Sequence, residues 1–109
     1  MSPALEAVEA IYFNAQLRLS DMLAACPTDE DRTTIRGQYV LARHNYFTCI
    51  NKTFHDDDPA LETAVAQAKT AADAIKKIDE QLGKISAVIA AMTTAVEYGS
   101  QIVKKIITL

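Results

Sequence analysis

The sequence predicts an all-α protein in which an antiparallel helical hairpin, residues 3 to 55, packs on a long C-terminal helical segment, residues 58 to 107. Three observations predict it. Half of the residues are hydrophobic, and only three Gly and three Pro interrupt the chain. Apolar residues recur at steps of three and four along most of the sequence, the period of a helix face and not of a strand. Pro3, Pro27 and Pro59 stand where such stretches open or close. A chain of 109 residues is one domain by length, residues 1–109, and can bury a single core without disulfide or metal staples.

Ser2-Pro3 opens the first helix: the Ser hydroxyl can accept from a free amide of the first turn, and Pro fits the first helical position. Leu5, Val8, Tyr12, Ala15, Leu19, Met22 and Cys26 then form a coiled-coil-like stripe. Pro27 ends it, because the residue before a proline is pushed out of the helical region. Thr28 caps the second helix, and Asp29, Glu30 and Asp31 lie at the positive end of its dipole. Its stripe is Ile35, Tyr39, Ala42, Tyr46, Cys49 and Thr53, flanked by Val40, Phe47, Ile50 and Phe54. So short a connection makes the two helices antiparallel neighbours. That pairing gathers Tyr12, Phe13, His44, Tyr46 and Phe47, read here as an aromatic plug in the core.

His55-Asp56-Asp57-Asp58-Pro59 punctuates the chain. Consecutive loop residues rarely converge on one ion, so the expectation is no metal: Asp58 caps the next helix ahead of Pro59, Asp56 and Asp57 are solvated, and His55 complements the negative end of the preceding helix. Beyond Pro59 the apolar set Leu61, Val65, Ala68, Ala72, Ile75, Ile78 and Leu82 runs into Ile85, Ile89, Met92, Val96, Gly99, Val103 and Ile106. The two sets join across Gly83 without a break in period and without a Pro, Asn or Ser cluster. Taken at face value this is one continuous helix of about 50 residues, about 75 Å long. The alternative is a turn at Gly83, the residue type that commonly follows a helix end, which would give a four-helix up-down bundle. The recurrence of Pro3-Ala4-Leu5-Glu6 as Pro59-Ala60-Leu61-Glu62 places Gly83 where Pro27 stands in the first hairpin.

Totals exclude some functions and leave others open. The net charge is -3. Nine acidic and five basic residues lie at or before Asp58, against five and six after it, so the two parts carry about -4 and +1 and attract weakly through salt. No basic cluster suits nucleic-acid binding. The two cysteines, Cys26 and Cys49, lie about 30 Å apart along a helix and cannot pair within one hairpin. With no basic and hydrophobic leader at Met1, the expectation is a cytoplasmic protein with reduced thiols.

No phosphate loop, metal-ligand cysteine pair or Glu-x-x-His motif is present, so neither a cofactor nor a catalytic function is expected. The segment from Ile85 to Val103 holds one charge, Glu97. It does not suit a membrane span: each Ile or Val contributes about -0.3 to -0.6 kcal/mol, and a mid-span charge costs about 2.5 to 3.5 kcal/mol. Ala87, Ala91, Ala95 and Gly99 recur every four residues beside Ile85, Ile89, Met92 and Val96, a surface suited to close helix packing. In a four-helix bundle this would be the central helix. In a continuous helix it would need cover from outside the chain.

The sequence reading is therefore a non-catalytic protein-binding module, a homo-oligomer or the binder of one partner protein. Its expected interface is Ile85, Ala87, Ile89, Ala91, Met92, Val96, Gly99, Val103 and Ile106. The alternative is a membrane-surface protein that inserts the segment after Lys84.

Overall fold

Three of the four helices begin on the capping residue that the sequence supplies. The computed structural model describes residues 2–107. Ser2 accepts from the Leu5 amide at 3.1 Å and opens α1, Pro3–Ala25. Thr28 accepts from the Asp31 amide at 3.1 Å and opens α2, Asp29–Cys49. Asp58 accepts from the Ala60 amide at 2.8 Å and opens α3, Pro59–Lys76. Only α4, Ile85–Val103, starts without a side-chain cap, on Lys84. Among the described residues no helix is long and apolar enough to cross a membrane.

The structure overturns the continuous C-terminal helix and bears out the alternative, a four-helix up-down bundle in which the chain turns back by Gly83. The molecule is 45 Å in its longest dimension, well short of the ~75 Å that 50 helical residues would span. Helix α3 ends at Lys76 and a 3₁₀ turn, Ile78–Gln81, leads the chain back into α4. The Lys77 amide reaches both Asp73 O and Ala74 O at 3.2 Å, and the Glu80 and Lys84 amides bond to Lys77 O and Gln81 O. Gly83 is not a left-handed cap, because no glycine here has a positive φ. The apolar period survives the turn because the turn itself faces the core: Ile75 and Ile78 are fully buried and Leu82 packs against them. An unbroken stripe therefore reports burial on both sides of a reversal, not continuity of one helix.

The second helix is also shorter than the hairpin limit of residue 55 implied. It ends at Cys49, and Asn51 takes a left-handed φ of 60° just beyond the cap, a conformation Asn tolerates better than most residues. Thr53 and His55 thus lie beyond the helix, in the crossover to α3, and His55 does not sit on the end of the α2 dipole. Its backbone instead donates to Lys105 O at 3.1 Å, next to an isolated antiparallel bridge between Phe54 and Ile106. Lys105 completes this clasp with an ion pair to Asp58 at 2.8 Å.

Helices α1 and α3 start at the same end of the bundle, and α2 and α4 run back. Helix α1 contacts α2, α3 and, across the short diagonal, α4, whereas α2 and α3 occupy opposite corners. All four helices build the core, through Ile11 and Met22 of α1, Ile35 of α2, Ile75 of α3, and Met92 and Ile102 of α4. Small residues set the helix spacing: Ala4, Ala7 and Ala15 of α1 are buried, as are Ala64, Ala68 and Ala71 of α3.

Two asparagines tie the hairpins together. Asn14 of α1 donates to Ala72 O at 3.1 Å. Asn45 of α2, the buried polar side chain of the core, donates to Val96 O and Ser100 Oγ at 3.4 Å. Gly99 makes room for it: a Cβ there would stand 3.0 Å from Asn45 Nδ2.

Two outcomes follow from this packing. Gly99→Val should destabilise the bundle by about 1 to 3 kcal/mol through overpacking. Adding Asn45→Ala should restore part of that loss, so a double-mutant cycle by urea unfolding that shows strict additivity would deny the contact. The Asp58 carboxyl is held below its usual range, first by the Lys105 ammonium and then by the Ala60 amide. A depressed carboxyl stabilises the fold above its unfolded pKa and loses that effect as pH falls through its folded value. Asp58→Asn should therefore lower Tm at neutral pH, and the gap should close in acid below about pH 3.9; a gap independent of pH would contradict the ion pair.

Candidate functional site

The nine α4 and tail residues expected to form an interface divide by exposure. Met92, Val96 and Gly99 are buried inside the chain, between α4 and its neighbours. Ile85, Ala87, Ile89, Ala91, Val103 and Ile106 are half-buried, and most of them pack on the core from its rim. The turn after Lys76 brings α4 back against α2 and α3, so Met92, Val96 and Gly99 are covered from within the chain while the other six stay partly open.

The exposed apolar surface lies elsewhere, on the first hairpin. Phe13, Leu17, Val40, Leu41 and Phe47 are the exposed large hydrophobic residues, with Leu17 at 76% and Phe47 and Val40 at 57%. All belong to α1 or α2. The aromatic group is therefore not a core plug. Tyr12 is buried, Tyr39 and Tyr46 are half-buried, and Phe13 and Phe47 face solvent. The rings nevertheless form one connected set: Tyr12 lies 5.5 Å from Tyr46 and 5.7 Å from Tyr39, Phe13 lies 5.4 Å from Tyr46, and Phe47 lies 5.3 Å from Tyr46. These separations suit tilted and offset aromatic pairs. The plug fails because α2 occupies a corner of the bundle: α1 and α4 cover its inner side, and among the described residues no other helix covers its outer side.

This face is polar only at its margins. The Tyr46 hydroxyl lies 3.4 Å from Glu9 Oε2; burial raises the pKa of Tyr46, with the Glu9 charge adding to the effect. Burial also raises Tyr39, beside Tyr12. Both phenols thus stay neutral and act as hydrogen-bonding rims of an apolar patch. Val40, Arg43, His44 and Phe47 line a shallow depression of about 390 Å³.

A second depression, about 550 Å³, runs between α3 and α4 and is lined by Ala66, Thr70, Ala74, Ala90, Ala91, Thr94 and Tyr98 among others. Small side chains at i, i+4 leave this furrow open. Its polar groups are the Gln67 amide, the Thr70 and Thr94 hydroxyls and the Tyr98 phenol, and no carboxylate, imidazole, thiol or amine lines it to activate a hydroxyl. Among the described residues no three His, Cys, Asp or Glu side chains converge to hold a metal. His55, Asp56 and Asp57 are exposed in the crossover, while Asp58 is occupied by its cap and by Lys105.

Both cysteines are free and buried. Burial pushes Cys49 up to about 11 and also raises Cys26, whose thiol donates to Met22 O at 3.3 Å. A thiol held protonated inside a core is a poor nucleophile.

Three contributors, Asn45, Arg36 and Arg43, escaped the sequence reading. Asn45 sits between Ala42 and Cys49 on the side of α2 that meets α4, and a buried Asn has no periodic signature of its own. Arg43 and Arg36 share the outer side of α2 with Val40 and Phe47, a pattern visible in the sequence once the inner side is known. Comparison with known proteins finds no match: no protein family, curated protein or solved structure corresponds to this chain.

The burial of both thiols has a direct test. Native protein mixed with a chromogenic disulfide reagent near pH 8 should label slowly, at a rate set by opening of the bundle, and fully once denatured. Immediate labelling of either cysteine in the native state would contradict its position.

Proposed function

We propose that this chain is a non-catalytic protein-binding helical bundle, acting in a reducing compartment such as the cytoplasm, and that the outer face of the α1–α2 hairpin is its principal contact surface. One observation carries the reading: the exposed large hydrophobic residues collect on that hairpin, around Phe13, Leu17, Val40 and Phe47, although α4 is the more apolar helix. Single exposed hydrophobic residues are ordinary, but a connected aromatic and aliphatic patch is the usual mark of an interaction surface. Aromatic anchors of this kind dominate the energetics of protein interfaces.

The larger depression favours a binding role over a catalytic one, since its Thr70, Thr94 and Tyr98 hydroxyls have no His, Asp, Glu, Lys or Cys among the lining residues to activate them. A second copy of the chain is the simplest partner to test, with the half-buried rim of α4, including Ala91, as a secondary contact. Membrane-surface insertion after Lys84 has less support. Val88, Met92, Ala95 and Ile102 are fully buried, and moving α4 among lipids would dismantle the core they form.

The reading is tested by a photo-crosslinking amino acid placed at Leu17 or Phe47, with Glu62 and Lys69 on the exposed side of α3 as controls. Protein adducts, with a second copy or another chain, should form from the hairpin positions and not from the controls. Equal yields from all four positions, or none from any, would sink it.

A further inference from the structure

The outer face of α2 specifies more than apolarity. From Arg32 to Lys52 the sequence contains no Asp or Glu, although the chain as a whole is acidic at -3. Arg36, Val40, Arg43 and Phe47 follow one another at steps of four, three and four, which places them on one side of the helix. All four are exposed. The ion pairs among the described residues are Arg32 with Asp29 and Lys105 with Asp58, so the guanidinium groups of Arg36 and Arg43 have no carboxylate partner. Glu9, the carboxylate at this edge of α1, is engaged by Tyr46.

We infer that the α2 face receives an acidic amphipathic helix of a partner protein, whose carboxylates pair with Arg36 and Arg43 and whose apolar side chains settle on Val40, Phe47 and Phe13. The inference rests on the protein-binding reading above and adds the chemistry of the partner. Its warrant is charge complementarity. Two guanidinium groups without an ion-pair partner, each a planar fork of donors matched to a carboxylate, alternate with two apolar anchors on α2, and the stretch from Arg32 to Lys52 has no Asp or Glu of its own.

The spacing favours a helix. Val40 and Phe47 are seven residues apart, about 10 Å along the axis, as are Arg36 and Arg43. A partner helix with apolar residues at i and i+7 and carboxylates at the intervening turns meets both pairs in one register. The shallow depression between Val40, Arg43, His44 and Phe47 is where one apolar side chain of that partner would seat. Nucleic acid suits the face less well, since two arginines neutralise few phosphates and the acidic remainder of the chain repels the rest.

The test uses the full chain and three synthetic helical peptides of about 18 residues with an identical Leu and Phe stripe, flanked by Glu, Gln or Lys. Binding is read by fluorescence anisotropy at low and high salt. The Glu peptide should bind about tenfold more tightly than the Gln peptide, as two exposed charge pairs allow, and the advantage should shrink in salt. The variant Arg36→Glu with Arg43→Glu alters only exposed side chains, so it should remain folded by circular dichroism and should prefer the Lys peptide.

Equal binding of the Glu and Gln peptides, a preference that survives the double substitution, or no binding of any peptide would each overturn the inference. So would arginine-dependent binding of a single-stranded RNA or of phosphatidylserine vesicles without binding of the Glu peptide. Self-association that Phe47→Asp abolishes and the Glu peptide cannot compete away would make the occupant a second copy, and would overturn it as well. Phe47→Ser separates this inference from the reading beneath it. If the Glu and Gln peptides bind equally and both weaken in Phe47→Ser, the acidic partner is refuted and protein binding stands; if the substitution has no effect, both fall.

Discussion

The structure depends on one constraint, the need of α4 to be covered on most of its circumference. From Ile85 to Val103 it carries a single charge, Glu97, and apolar area left in water costs about 25 cal/mol for each Å². A straight continuation of α3 would leave that area exposed. The chain instead reverses through the 3₁₀ turn at Ile78–Gln81, and α4 returns beside α3, against α2 and across the diagonal from α1. Ile78 anchors the reversal in the core, so the turn is held by the same burial that it makes possible.

Once α4 is central, the other helices have fixed roles. Alanines in α1 and α3 allow those two parallel helices to approach closely. Gly99 opens the matching space between α4 and α2 for Asn45. A buried amide is favourable only where its donors find acceptors, so its bonds to Val96 and Ser100 oppose sliding of α2 along α4. At the end where α4 stops, Phe54, Lys105 and Asp58 close the bundle with one bridge and one ion pair. The corner helix α2 has the least cover, which leaves Val40, Phe47 and the neighbouring Phe13 facing outward. The apolar surface left open is thus a by-product of how the four helices share the core.

That order explains why the most apolar stretch of the sequence is not the most apolar stretch of the surface. Met92, Val96 and Gly99 have a composition that suits an interface, and they form one, but within the chain. Phe13 and Phe47 have the composition of a core and stand outside it. Hydrophobicity says that a residue seeks cover; it does not say which element supplies it.

The sequence by itself determined the all-α class, the starts of three helices at Ser2, Thr28 and Asp58, the stop at Pro27, and the inward stripe through Val8, Tyr12, Ala15 and Met22. Each of these follows from interactions within a few residues: a side-chain oxygen on a free amide, a proline ring against the preceding residue, a period of 3.6. Only the tertiary structure decided that the chain reverses before Ile85, that α2 takes a corner, that Asn45 is buried, and that Arg36 and Arg43 flank an open aromatic face. These depend on contacts between residues tens of positions apart. Such contacts leave no local mark in the sequence, because a stripe that meets a neighbouring helix and a stripe that meets water at a corner have the same spacing.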